Sequence, residues 1–322
     1  KTARNDEGNS ASPSPVTDGK YVWSFMGSGD LGCYDFDGNE IYKFDMQDRY
    51  GKFDIQFGMT STPVLHENKL IFQLIHGKWN GEPQPAWVVA LDKTTGKEIW
   101  KHLRKSDAYD ENVHSYASPV VYQDDDRAFL LTHGADYVIA HDLETGDEIW
   151  RCGGLNPRDK YNQYLRLVAS PSFGDGIIVV PSAKNGPVLG LKPTGKGNIT
   201  NDRSAYFWKR ERDTPDVPSP VIVGGIVYLA KENGVMIALD QQTGKELYLE
   251  RVHGTRHRAS PVYADGHIYM TGRDGVVSVL KTGPEFKLVS QNSFEEPQAA
   301  SPAIADGTIY LRTFKSLYAI RK

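Results

Sequence analysis

The chain has 322 residues, 39% of them hydrophobic and 24% charged, with a net charge of −4 at neutral pH. That is enough apolar content for a large core, and charges of both signs are interspersed, which argues against a nucleic-acid or membrane-surface partner. The longest apolar stretches, such as VIVGGIVYLA at 221–230, are too short to span a bilayer as a helix.

The sequence opens on Lys rather than Met and shows no hydrophobic leader, so we expect a processed mature protein or a fragment. Residues 1–11 (KTARNDEGNSA) read as a loop leading into the first strand. From there Ser or Thr precedes Pro and opens an apolar strand seven times, at Ser14, Thr62, Ser118, Ser170, Ser219, Ser260 and Ser301. The gaps of 48, 56, 52, 49, 41 and 41 residues match the length of one four-stranded propeller blade. The expectation is a single all-β propeller domain over 1–322 with seven visible repeats. The last repeat stops after three strands, which points to an upstream strand or an eighth blade elsewhere in the native protein.

In the first repeat, GSGDLG at 27–32 fits the G-x-G-x-x-G pattern but runs into another strand, not a helix, so it reads as a glycine-rich hairpin and not a nucleotide site. DFDGNE at 35–40 and the acidic run 124–126 align with outer turns of their blades, not with calcium loops. The third and fourth strands give ALDKTTGKEIW at 90–100, AHDLETGDEIW at 140–150 and ALDQQTGKELY at 238–248. Gly96, Gly146 and Gly244 should supply the positive φ of a tight turn, and Trp100, Trp150 and Tyr248 should wedge between blades. Cys33 and Cys152 lie too far apart in the repeat pattern to bridge and carry no expected chemistry. Asn198-Ile199-Thr200 is a glycosylation sequon only in a protein secreted by a eukaryote.

Ser-Pro, Ala-Leu-Asp, Thr-Gly and the terminal Trp together resemble the repeats of the pyrroloquinoline-quinone-like, or quinoprotein-like, propeller superfamily over nearly the whole chain. Within it the chain is most similar to secreted bacterial propellers akin to the lipoprotein of the outer-membrane β-barrel assembly machinery. The resemblance implies the bacterial envelope, periplasmic or secreted. The enzymes of the superfamily hold quinone between a Trp and a disulfide of adjacent cysteines, with calcium on Glu, Asn and Asp. No adjacent cysteine pair and no haem-attachment Cys-x-x-Cys-His occur here, so no cofactor is expected and a quinone-dependent dehydrogenase is disfavoured.

Segments before each Ser-Pro lead into the innermost strands and should aim Gln56, His114, Arg166, Asp216, His257, Arg258 and Gln298 at a channel mouth. Hairpins after the second strands add His76, His133, Lys184, Glu232 and Arg273 farther out. Long connections at 43–60, 101–116 and 151–168 are rich in aromatics, which favours a packed rim over disorder. The run RVHGTRHR at 251–258, with Arg166, suits a carboxylate, sulfate or phosphate; equally, the arginines could tie loops together through Asp213, Asp216 or Glu250. His114, His257 and Asp216 are the candidates for acid-base chemistry or for a metal, against the alternative of hydrogen-bonded structural histidines. The repeated serines should bond backbone groups. The leading expectation is a non-catalytic binding or scaffold propeller taking a small anionic ligand, such as an acidic sugar or peptide carboxylate. The alternatives are a lyase or hydrolase of anionic polysaccharide, and an assembly scaffold for an envelope protein.

Overall fold

The computed structural model describes residues 9–78 and 85–321, so most of the N-terminal loop expected over 1–11 lies outside the described residues. The described residues form seven antiparallel sheets, one per repeat, and the fold is an all-β propeller of seven blades. Blade 1 comprises Val16–Thr17, Tyr21–Phe25, Asp30–Asp35 and Glu40–Asp45; blade 2 comprises Val64–His66, Lys69–Leu74, Trp87–Asp92 and Glu98–Leu103. Blade 3 comprises Val120–Gln123, Ala128–Gly134, Tyr137–His141 and Glu148–Cys152; blade 4 comprises Ser172–Gly174, Ile177–Pro181, Val188–Leu191 and Tyr206–Arg210. Blade 5 comprises Val221–Val223, Ile226–Ala230, Val235–Asp240 and Glu246–Arg251; blade 6 comprises Val262–Ala264, His267–Thr271, Val276–Lys281 and Leu288–Ser293. Blade 7 has three strands among the described residues, Ala303–Ala305, Thr308–Arg312 and Leu317–Arg321. Two compact units divide the chain: blades 1–3 with 195–201, and blades 4–7.

Blade 3 departs from the expected four strands. Gly197–Asn198, from the connection inside repeat 4, pairs in parallel with its outer strand and makes a fifth. Ile199 donates its N–H to the Arg151 carbonyl and is buried, and the Thr200 hydroxyl accepts the Gly153 N–H. The sequon residues thus work as a clasp over a sheet edge that would otherwise offer unpaired backbone groups.

Within each unit the core lies between consecutive blades. In unit 1 Trp23, Phe25 and Leu31 of blade 1 meet Leu70, Phe72 and Val89 of blade 2. In unit 2 Ile177 and Val179 of blade 4 meet Val227, Leu229 and Ile237 of blade 5. A central strand covered on both faces favours apolar residues at every position, and Ile177–Pro181 and Ile226–Ala230 accordingly read as unbroken apolar runs and not as alternating ones.

Two repeated devices set the spacing of the blades. In each of blades 1–6 the pairing of the third and fourth strands slips by one residue at the same place, as between Ala90 and Leu91 or Ala238 and Leu239. The bulge falls one residue before Trp100 or Tyr248 and turns that aromatic toward the next blade. Trp100 donates its indole N–H to the Leu143 carbonyl of blade 3, and Trp208 donates to the Gln241 carbonyl of blade 5. The Thr-Gly turn receives the ring: Gly146 has φ +77°, and a Cβ there would sit 2.5 Å from Trp100. Asp92, Asp142 and Asp240 close these turns by accepting the N–H and hydroxyl of the Thr three residues on.

The second device uses the serines of the Ser-Pro motif. The Ser14 N–H donates to the Thr62 hydroxyl, Thr62 N–H to Ser118, Ser170 N–H to Ser219 and Ser219 N–H to Ser260. Each hydroxyl straps its own blade to the one before it, the backbone role expected of a residue repeated in every blade.

Candidate functional site

In unit 1 the expected positions gather on one aromatic bracket. Phe57, next to Gln56, meets Tyr116 edge-on at 5.8 Å, and its N–H donates to the Tyr116 hydroxyl. His114 also meets Tyr116 edge-on, at 6.4 Å, and faces the Gly77 carbonyl through Nε2 at 2.8 Å. The Arg166 guanidinium lies 5.5 Å over the Phe57 ring, with Nε 3.1 Å from the carboxylate of buried Glu111. His114 and Arg166 are therefore brought together around Phe57 and Tyr116, and Gln56 is the chain neighbour of Phe57. Arg166 is neutralised by a carboxylate that the sequence reading did not single out. His76, which packs on Phe53, is pushed down to about 4 by burial and stays neutral.

In unit 2 Glu232 links Asp216 and His257. Its carboxylate accepts the N–H groups of Asp216 and Val217, and its carbonyl accepts the His257 N–H. Burial holds the Glu232 carboxyl above its ordinary range. His257 is fully buried, with Nδ1 2.9 Å from the Thr271 carbonyl and Nε2 3.4 Å from the His253 carbonyl. Burial pulls its pKa down, so the ring serves as a strut between two loops. Arg258, Asp216 and Arg273 are each engaged in interactions of their own. Arg210 ties Asp213 and Glu246, so Asp213 does pair with an arginine as one sequence reading expected, though not one from 251–258.

The densest polar constellation is one that sequence reasoning missed. It lies where the two long connections 104–116 and 153–166 meet the hairpin between the second and third strands of blade 3. Ala135 and Asp136 both have positive φ, 45° and 65°. That turn projects the Asp136 carboxylate into a polar socket: the Tyr161 hydroxyl donates to Oδ2 at 2.8 Å and Asn156 to Oδ1 at 3.4 Å. Arg158 stacks over Tyr161 at 4.5 Å and donates to the carbonyl and carboxylate of Asp107. Arg104, buried below, donates to the Thr132 hydroxyl and to the Gly134 and Tyr137 carbonyls of the hairpin. Burial lowers its pKa to about 9. Tyr109 stacks on Tyr161 at 4.1 Å and remains 48% exposed, as Tyr164 is 45% exposed. The long loops thus form the packed rim their aromatics implied. The available signal was local: repeats 1, 5 and 6 place Gly just before the third strand, whereas repeat 3 has Asp there.

A quinone site of the dehydrogenase kind does not fit these residues. The chain's two cysteines, Cys33 and Cys152, are buried, free and far apart in sequence. Among the described residues no group of three or more His, Cys, Asp or Glu could hold a metal ion.

No curated protein sequence matches the chain. The profile of the family described as outer membrane protein assembly factor BamB matches residues 2–248 and 200–321. Among solved structures, BamB from Moraxella catarrhalis superimposes with a TM-score of 0.69 at 17% identity, covering 94% of this chain and 82% of that one. Quinohemoprotein alcohol dehydrogenase from Comamonas testosteroni gives 0.68 at 12%, covering 96% and 64%, and a europium-containing methanol dehydrogenase 0.66 at 11%, covering 95% and 75%. The structural likenesses extend to enzymes and so speak for the propeller fold alone, but the profile runs through all seven repeats: the chain belongs to the family of outer membrane protein assembly factor BamB.

Proposed function

We propose that the chain is a non-catalytic scaffold propeller of the bacterial envelope, working in outer-membrane protein assembly, with the rim of blade 3 as a docking surface for a protein partner and with no cofactor. The observation that carries this reading is how the rim is built. Arg166 and Arg158 are already neutralised by Glu111, Asp107 and Asp136, so little cationic capacity is left there for a small anionic ligand. What the rim presents to solvent is Tyr109, Tyr164 and a stacked guanidinium, residue types that dominate protein-protein hot spots. They are held rigid by hydrogen bonds from three segments, which lowers the entropy lost on binding. His257 faces two carbonyls, which favours a structural role over general-base catalysis.

The test is photo-crosslinking from residues 109 and 164 in cells, alongside the Tyr109→Ala/Tyr164→Ala variant. Crosslinks to an outer-membrane assembly component, with outer-membrane protein levels falling in the variant while its Tm is unchanged, are expected. Thermal stabilisation by an acidic oligosaccharide that disappears in His257→Ala/Arg258→Ala would restore the anionic-ligand reading instead.

A further inference from the structure

Consecutive blades meet through a repeated joint, and blade 7 presents its receiving half uncovered. The second-strand residue that pairs with the first residue after each Ser-Pro or Thr-Pro is Trp23, Ile71, Leu131, Val179 and Tyr228 in blades 1–5, each at most 1% exposed. In blade 5 Tyr228, Met236 and Ala238 pack on Ile268, Met270 and Leu280 of blade 6, and the Tyr228 hydroxyl accepts the Gly283 N–H of that blade's outer turn. Blade 7 repeats the arrangement: Tyr310 pairs with Ala303 and Ala319, and Leu317 with Arg312, as Met236 does with Ala230. Yet Tyr310 is 40% and Leu317 68% exposed.

The inserting half lies uncovered on blade 1. Gly96, Gly146 and Gly244 mark the outer turns of blades 2, 3 and 5, and a Cβ on each would stand 2.5–2.9 Å from an aromatic ring of the blade before. At Gly38, in the corresponding turn of blade 1, nothing lies within 4 Å, and Phe36 in the same turn is 65% exposed. Charge is complementary as well. That turn carries exposed Asp37 and Glu40, whereas Arg312 and Arg321 stand exposed on the Tyr310 face of blade 7, to which the strand register assigns them. One chain thus carries both halves of the joint, and both are open. We propose that blade 7 of one copy receives the outer turn of blade 1 of a second copy, so that the chain associates head to tail through its own interblade contact. A contact between two different patches is heterologous, so each added copy brings a further open half until the assembly closes on itself. None of its residues belongs to the Tyr109 and Tyr164 rim.

Sedimentation velocity of the whole chain over a concentration series tests this. The wild type is expected to pass from monomer to larger species as concentration rises, and to do so less readily in high salt, which screens the Asp37, Glu40, Arg312 and Arg321 charges. Tyr310→Ala/Leu317→Ala on one half and Phe36→Ala on the other should each weaken association by about thirtyfold or more, because each removes apolar anchors from the joint. Mixing the two variants separates this joint from any other contact. The intact turn of the first and the intact face of the second can form one contact and no more, so a capped one-to-one dimer is expected at concentrations where each variant alone is monomeric. A wild type that stays monomeric at every concentration would overturn the proposal and leave the blade 7 face to a segment of the same chain or to another protein. Variants that associate as the wild type does, or a mixture that forms no dimer, would overturn it equally.

Discussion

A single glycine shows how closely side chains and backbone are matched in this propeller. Gly146 is required twice over, by a φ of +77° and by the Trp100 ring that fills the place of its absent Cβ. Gly146→Ala should destabilise the chain by roughly 2 kcal/mol or more, since it combines left-handed strain with overpacking. Trp100→Ala opens the same contact from the other side and should cost about 3–5 kcal/mol. Because the two residues touch, the double variant should cost less than the sum of the singles, which urea unfolding of the four proteins would reveal. The Thr-Gly and Trp signals were plain in the sequence because each recurs at a fixed offset. Glu111 and Asp136 were not, since each acts once, through partners brought from distant loops that no repeat alignment predicts.

At the level of elements, hydroxyl straps and edge clasps do different work. Ser219 accepts the Ser170 N–H at 2.9 Å, and its own N–H donates to Ser260. Removing that acceptor in Ser219→Ala should cost about 1–2 kcal/mol by leaving a half-buried donor without its partner, whereas Ser219→Thr should retain most of the stability. Thermal melts of the two variants check this, and equal losses would mean that the site responds to volume and not to the hydrogen bond. The straps could be anticipated, because a residue present in every blade must serve the blade. The clasp at 195–201 could not be read in the same way. Its Thr-Gly begins like every other outer turn, and only the insertion before the fourth strand of blade 4 lets it reach across to pair in parallel with Glu148–Cys152. Local pattern specifies a strand, but it does not name the neighbour that strand chooses.

For the molecule as a whole, the propeller fold is shared by dehydrogenases and assembly factors, so activity has to be argued from the residues each one places on it. Here the chain's two thiols are buried and far apart in sequence, not the adjacent pair that the resemblance ties to quinone, and burial raises the Cys33 thiol to about 11, far from a reactive thiolate. Pyrroloquinoline quinone with calcium should therefore leave the melting temperature unchanged. The measurement is decisive because binding is linked to stability: a ligand at a hundred times its Kd adds about 2.7 kcal/mol, enough to move a melt by a few degrees. A saturable rise with quinone would return the chain to the oxidoreductases. No rise, together with crosslinks from the Tyr109 and Tyr164 rim, would leave protein docking as the use made of the fold.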